Sequence, residues 1–116
     1  MTDAQTALAR RAVVCNGWSN MGGMLCADGA WRGRVGDGWN WRTGAEVLPV
    51  LDDPATLGCL LASVREAWGM PTGITVSYSS DEGLWGVSWS GSTHGGWCGR
   101  GATEAEALVA ALEDAP

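Results

Sequence analysis

The spacing of the apolar residues changes abruptly at Pro71, and this change constrains the fold more than any other feature. Before it, apolar residues recur every three or four positions, which is the period of one helix face. After it, along residues 74–78 and 85–89, apolar residues alternate with Ser, Thr and Gly, which is the period of a half-buried strand. The chain therefore predicts an amphipathic helix followed by an antiparallel hairpin. The helical stripe comprises Leu57, Leu60, Leu61, Val64 and Trp68.

The residues that flank this helix predict where it begins and ends. Asp52 or Asp53 supplies an N-cap, and Pro54 fits the first turn, where its missing N–H group costs nothing. Gly69 tolerates the left-handed conformation that ends a helix, and Pro71 prevents its continuation. We therefore expect a helix between the aspartate cap and Gly69.

The N-terminal half predicts a helix and a hairpin. Asn16-Gly17 is a typical helix stop. Asp28-Gly29 supplies the positive φ angles of a tight turn, although the neighbouring glycines weaken both strands. The predicted pieces, in order, are a helix over residues 3–15, strands over 24–27 and 30–35, and a loop over 36–51 with a short strand near 47–51.

The C-terminal half predicts a three-stranded meander and a last helix. A turn at residues 81–83 joins the two alternating strands, and a short third strand follows at 97–100. Thr103 and Glu106 have the spacing of a capping box. The last helix should fray, because Glu113 and Asp114 oppose its dipole. Its apolar face comprises Ala105, Leu108, Val109 and Leu112; the sheet face that the second and third helices should cover comprises Ile74, Val76, Tyr78, Trp85, Val87 and Trp89.

The length and composition bound the class of protein. The chain has 116 residues, enough for one domain and too few for two. We expect a single α+β domain, in which a helix and a Trp/Arg-rich hairpin and loop (1–50) precede a helix–β–β–β–helix unit (51–116). The chain shows no apolar run of membrane-spanning length and no secretory signal pattern, which predicts a cytoplasmic protein without a membrane partner. Reduced thiols are then expected at Cys15, Cys26, Cys59 and Cys98.

The charge is unevenly distributed along the chain. Residues 1–50 carry five arginines and four acids, whereas residues 51–116 carry two arginines and nine acids, for a net charge of −6 overall. Such a protein is repelled by nucleic acid unless its basic residues cluster in space, so direct nucleic-acid binding is disfavoured. The acidic half suits a basic surface, such as the nucleic-acid groove of another protein. The alternative is that the acids only keep a small domain soluble.

Residues 31–42, WRGRVGDGWNWR, contain three tryptophans and three arginines. These residue types are the most frequent binding anchors, although GC-rich coding also favours both of them. They suit a protein partner, or they stack on nucleobases and hold phosphates. The alternative is that some of the tryptophans close a small core. The candidate binding residues are Trp31, Arg32, Arg34, Trp39, Asn40, Trp41 and Arg42.

The sequence presents no complete catalytic or metal-binding motif. His94 and Cys98 form a close Cys/His pair, but no group that would orient the histidine is evident. The spacings of Cys15, Cys26, His94 and Cys98 match no common zinc site. The glycines of residues 33–38 lack the Lys-Ser/Thr of a phosphate loop. We therefore expect a non-enzymatic protein without cofactor or metal.

Two segments carry a resemblance. Residues 52–69, DDPATLGCLLASVREAWG, and 101–112, GATEAEALVAAL, resemble segments of small proteins of phages and prophages. The order of helix, Trp-rich strands and terminal helix over residues 46–116 is similar to the phage ABA sandwich domain family. The resemblance implies a phage accessory protein with no assigned chemistry. Phage proteins of this size often inhibit a host machine, CRISPR systems included.

Together with these sequence features, the resemblance implies an accessory protein that binds and inhibits a host protein in the bacterial cytoplasm. Its most concrete form is an anti-CRISPR or other anti-defence inhibitor of a nucleic-acid-targeting complex. Acidic side chains would approach a basic groove of that partner while the Trp/Arg segment anchors it. The alternative is a module that binds a nucleotide or single-stranded nucleic acid through the Trp/Arg segment. The acidic candidates are Glu66, Asp81, Glu82, Glu104 and Glu106.

Overall fold

A computed structural model describes residues 2–18, 24–25, 48–89 and 96–116, and the backbone of residues 34–35 and 38–39. The described residues confirm the α+β class, with an N-terminal helix and a hairpin before a helix, a three-stranded meander and a last helix. Among them, no helix is both long and apolar enough to cross a membrane. The elements are α1 (Asp3–Val13), β1 (Arg34–Val35), β2 (Gly38–Trp39), α2 (Pro54–Ala67), β3 (Ile74–Ser79), β4 (Leu84–Trp89), β5 (Gly96–Gly101) and α3 (Glu104–Glu113).

Helix α2 begins and ends where its flanking residues predict. The Asp53 carboxylate is the N-cap and accepts from the N–H of Thr56 at 3.0 Å. At the other end Gly69 takes a φ of 66°, and its N–H donates to the carbonyl of Glu66. The predicted stripe faces the core, with Leu60 and Val64 fully buried.

The three strands β3, β4 and β5 form an antiparallel meander in that order. Ile74 lies opposite Trp89 and Tyr78 opposite Trp85, so the alternating residues share one face as predicted. A β-bulge interrupts the pairing of β4 with β5 between Val87 and Ser88. That face is buried only in part: Tyr78 remains 55% exposed, which corrects the expectation that helices cover it.

Helix α3 packs directly on β5 because glycines on the strand remove the side chains between them. A Cβ atom at Gly99 would lie 2.4 Å from the backbone nitrogen of Ala111 and 2.5 Å from the carbonyl oxygen of Ala107. A Cβ atom at Gly101 would lie 2.8 Å from the backbone nitrogen of Ala107. The helix is therefore held at backbone distance. The buried face of α3 contains the four predicted residues and two further alanines. It comprises Ala105, Ala107, Leu108, Val109, Ala111 and Leu112.

The two ends of α3 form contacts that the sequence did not predict. Thr103 accepts from the N–H of Glu106, but the Glu106 carboxylate accepts from Ala102 and does not close a capping box on Thr103. At the other end, Glu113 is the last residue of α3 and forms an ion pair with Arg11 of α1. The tertiary partner offsets the unfavourable helix dipole.

The N-terminal half differs more from its prediction. The described hairpin pairs β1 with β2, so Gly38–Trp39 is a strand inside the predicted loop 36–51. These strands have two residues each, too short to show a periodicity. Near the predicted strand at 47–51, the N–H of Val50 donates to the carbonyl of Leu25 at 2.8 Å. The predicted turn at Asp28-Gly29 lies outside the described residues.

Candidate binding groove

A groove of about 330 Å³ opens where the first turns of all three helices meet. Its floor is apolar, with Leu51 and Ala105 buried and Leu8 and Leu57 partly buried. Carboxylates stand at its rim, and no basic side chain of the described residues lines it. We call this the acid-rimmed groove; its lining residues are Ala4, Gln5, Leu8, Val50, Leu51, Asp52, Leu57, Thr103, Glu104, Ala105 and Glu106.

Local hydrogen bonds fix the walls of the acid-rimmed groove. The side-chain amide of Gln5 donates to the Asp52 carboxylate at 3.0 Å, which links α1 to the turn before α2. Gln5 also accepts from the N–H of Thr2, as part of a capping box. On the opposite wall, the Glu106 carboxylate accepts from the N–H of Ala102 at 2.9 Å. Hydrogen bonds near the helix starts therefore link the residues of both walls.

The groove has a net negative electrostatic character. Each helix N-terminus contributes about half a positive charge, so three of them offset part of the rim. The lining carries three carboxylates, those of Asp52, Glu104 and Glu106, which exceed that offset by more than one charge. Within the part of the chain that the structure describes, none of the three forms an ion pair. The rim therefore retains acidic charge for a cation to meet.

The structure distributes the five predicted acidic residues over three places. Glu104 and Glu106 line the groove, and both are partly buried. Asp81 and Glu82 are exposed in the turn between β3 and β4, where Glu82 pairs with Arg100 at 3.1 Å. These four lie at one end of the sheet, because Gly101, just before α3, pairs with Trp85 beside that turn.

Glu66 lies at the other end of the sheet. Its neighbour Arg65 donates to the carbonyl of Ile74, at the start of β3, whereas Asp81 follows the end of β3. A six-residue strand separates its ends by about 17 Å. Glu66 therefore does not share a surface with the other four acids.

The Trp/Arg segment falls mostly outside the described residues. Trp31, Arg32, Asn40, Trp41 and Arg42 are not described, and Arg34 and Trp39 are described by their backbone only. In the β1–β2 register, Arg34 lies directly opposite Trp39. The pairing thus brings one predicted arginine and one predicted tryptophan to the same level of a hairpin.

The sequence did not single out a second Trp/Arg pair, on the outer face of the sheet. Trp97 is 46% exposed, and the Arg100 guanidinium lies 4.4 Å from its ring centroid. Residues three apart on a regular strand lie on opposite faces. The bulge makes Trp97 pair with Ser88 and Arg100 with Gly86, so both share the outer face. In the sequence the pair appears only as a Trp-x-x-Arg spacing, and regular strand alternation would place the two side chains on opposite faces of the sheet.

The described cysteines are poorly suited to nucleophilic chemistry. Cys98 is 1% exposed, and burial raises its pKa. Burial also raises the pKa of Cys15 and of Cys59. Within the described residues, no three His, Cys, Asp or Glu side chains are grouped to hold a metal ion. His94 and Cys26 lie outside those residues.

Two other depressions are larger than the acid-rimmed groove but less suited to a ligand. One, of about 490 Å³, contains Arg11 and Glu113, which already pair with each other. The other, of about 480 Å³, is lined by five residues beside the end of α2. The acid-rimmed groove combines an apolar floor with carboxylates that form no ion pair with another described residue, and is therefore the stronger candidate.

The comparisons with known proteins give no match. No protein-family model matches the chain, and neither a curated protein nor a solved structure is significantly similar to it.

Proposed function

We propose that this protein is a non-enzymatic accessory protein that binds a basic surface of a partner protein and blocks it. The acid-rimmed groove carries the proposal, because it joins an apolar floor to carboxylates that have no ion-pair partner among the described residues. Charge complementarity of this kind raises the association rate and selects the partner.

The most concrete form of this function is inhibition of a host defence complex that acts on nucleic acid. Such complexes present basic grooves, and an acidic protein would cover one of them. This form comes from the resemblance of residues 46–116 to phage proteins. Its test is the DNA-cleavage rate of a panel of purified RNA-guided nucleases with and without the protein. Unchanged rates for the panel would remove the anti-defence form.

The binding function itself is tested with poly-L-arginine as a basic probe. The double variant Glu104→Gln/Glu106→Gln removes two groove charges, and glutamine at 106 retains an acceptor for the N–H of Ala102. The matched control Glu66→Gln/Asp81→Asn removes two exposed charges outside the groove. We expect the groove variant to lose more affinity than the control, and wild-type affinity to fall as salt rises. Equal losses would assign the binding to net charge alone.

The opposition of Arg34 and Trp39 supports a second candidate function, the binding of a nucleotide or single-stranded nucleic acid. A tryptophan and an arginine at one level of a hairpin suit a stacked base and its phosphate. Quenching of tryptophan fluorescence by a panel of nucleotides tests this candidate, with the Trp39→Leu variant as the control. Absence of quenching at millimolar nucleotide would reject it.

A further inference from the structure

We infer that the acid-rimmed groove takes a short amphipathic basic peptide segment, which places an apolar side chain on the floor and a lysine or arginine at the rim. This inference rests on the proposed function and adds the chemistry of the partner segment. It combines the size of the groove, its apolar floor and the position of its charges.

The groove is a depression of about 330 Å³ whose lining comes from the first turns of three helices. It is open to solvent, so a partner segment that lies across its mouth can place single side chains against the floor.

The chemistry of the lining favours different partner side chains at the floor and at the rim. Leu51 and Ala105, less than a tenth exposed, form a floor without a charged group. An ammonium or guanidinium buried there would lose its hydration without compensation, whereas an aliphatic side chain gains by leaving water. At the rim, Asp52 is exposed and Glu104 partly so, and a cation can pair there while staying hydrated.

The charge also excludes other occupants. Phosphate and carboxylate ligands would meet three carboxylates. A purely polar cationic segment would leave the floor uncovered. The favoured occupant therefore alternates apolar and basic residues over a few positions.

Three fluorescein-labelled ten-residue peptides test the inference by fluorescence anisotropy. The first alternates leucine and arginine, the second replaces leucine with serine, and the third replaces arginine with glutamine. We expect the first to bind, and the second and third to bind at least about tenfold more weakly. Equal binding of the leucine and serine peptides would overturn the inference and leave a purely electrostatic partner. No binding of any basic peptide or of poly-L-arginine would overturn the proposed function as well.

Two variants of α1 locate the peptide-binding site. Ala4 lines the groove and Ala7 does not, while both are exposed on α1. Arginine is a good helix former, so neither Ala4→Arg nor Ala7→Arg should perturb the fold. We expect Ala4→Arg to weaken the leucine/arginine peptide about tenfold and Ala7→Arg to change its affinity less than about twofold. Equal effects of the two variants would place the peptide elsewhere.

Discussion

Arg11 and Glu113 join the last turn of α1 to the last turn of α3 across 102 positions of sequence. The guanidinium donates to both carboxylate oxygens, with Nε lying 3.2 Å from Oε2. The pair lowers the pKa of Glu113, chiefly through the hydrogen bond from Arg11. It also places a positive charge beside an acid that opposes the helix dipole at the end of α3.

The Arg11–Glu113 pair predicts a pH dependence of stability. Because the pKa of Glu113 is lower in the folded state, its stabilisation is present above the ordinary pKa of a glutamate and is lost as pH falls through the lower folded pKa. Both side chains are more than a third exposed, at 52% and 39%, which limits the effect to at most about 1 kcal/mol. Urea unfolding of wild type and Glu113→Gln, at neutral pH and at about pH 3, should show the difference at neutral pH only. The same difference at both values would contradict this account; Glu66→Gln serves as the control.

Substitution by alanine should have opposite effects on stability at two glycines. One lies in the contact between β5 and α3, and the other lies in α2. Gly99→Ala would place a Cβ atom 2.4 Å from the backbone of α3, so we expect a loss of about 1–3 kcal/mol or more. Gly58→Ala, within α2, meets nothing within 4 Å and should stabilise by about 0.5–1 kcal/mol. Thermal or urea unfolding measures both. A neutral Gly99→Ala would show that α3 can move away from the strand at no cost.

Thr56 connects the cap of α2 to the segment at Leu25. Its fully buried hydroxyl accepts from the N–H of Leu25 at 2.9 Å and lies 3.2 Å from the Asp53 carboxylate, to which it donates. Thr56→Val preserves the shape and removes both bonds, so we expect a loss of about 1–3 kcal/mol. Thr56→Ser keeps the hydroxyl and should lose about 1 kcal/mol or less. Chemical denaturation ranks the two, and a valine variant more stable than the serine variant would refute the network.

The cysteines should differ in their reactivity toward a thiol reagent. Cys98 should react only after unfolding, because it is 1% exposed. Cys15 and Cys59 are partly exposed and should react in the native protein. Burial raises the pKa of both, so their rates at neutral pH should be lower than in the unfolded chain and should rise toward alkaline pH. Iodoacetamide labelling mapped by mass spectrometry measures each site. Rapid native labelling of Cys98 would contradict its burial and revive a catalytic role.

The sequence predicted those elements whose signals are local. Asp53, Pro54 and Gly69 define α2 through caps and backbone preferences that act within a few residues. Strands β3 and β4 show their alternation directly, and the register confirms the shared face. The contact of Glu113 with Arg11 was not predicted, because no local pattern connects residues 102 positions apart.

The acid-rimmed groove could not be predicted from the sequence, because residues far apart in the chain form it. Its walls come from residues 4–8, 50–57 and 103–106, and each segment is an ordinary helix start when read alone. Only the packing of three helix ends creates the cavity. Glu104 and Glu106 were predicted from charge, but Asp52 and the apolar floor were not. Trp97 and Arg100 were missed because the bulge cancels the alternation that would have separated them.

The bare backbone seam between β5 and α3 restricts how this fold can vary. A strand and a helix that meet without intervening side chains leave no room for larger residues there, so the core cannot grow at that point. Variation in size and chemistry must come from the opposite side of the strand, where Trp97 and Arg100 face solvent. Engineering a different specificity into the molecule should therefore begin on that outer surface and at the groove mouth, and should leave the two glycines of the seam unchanged.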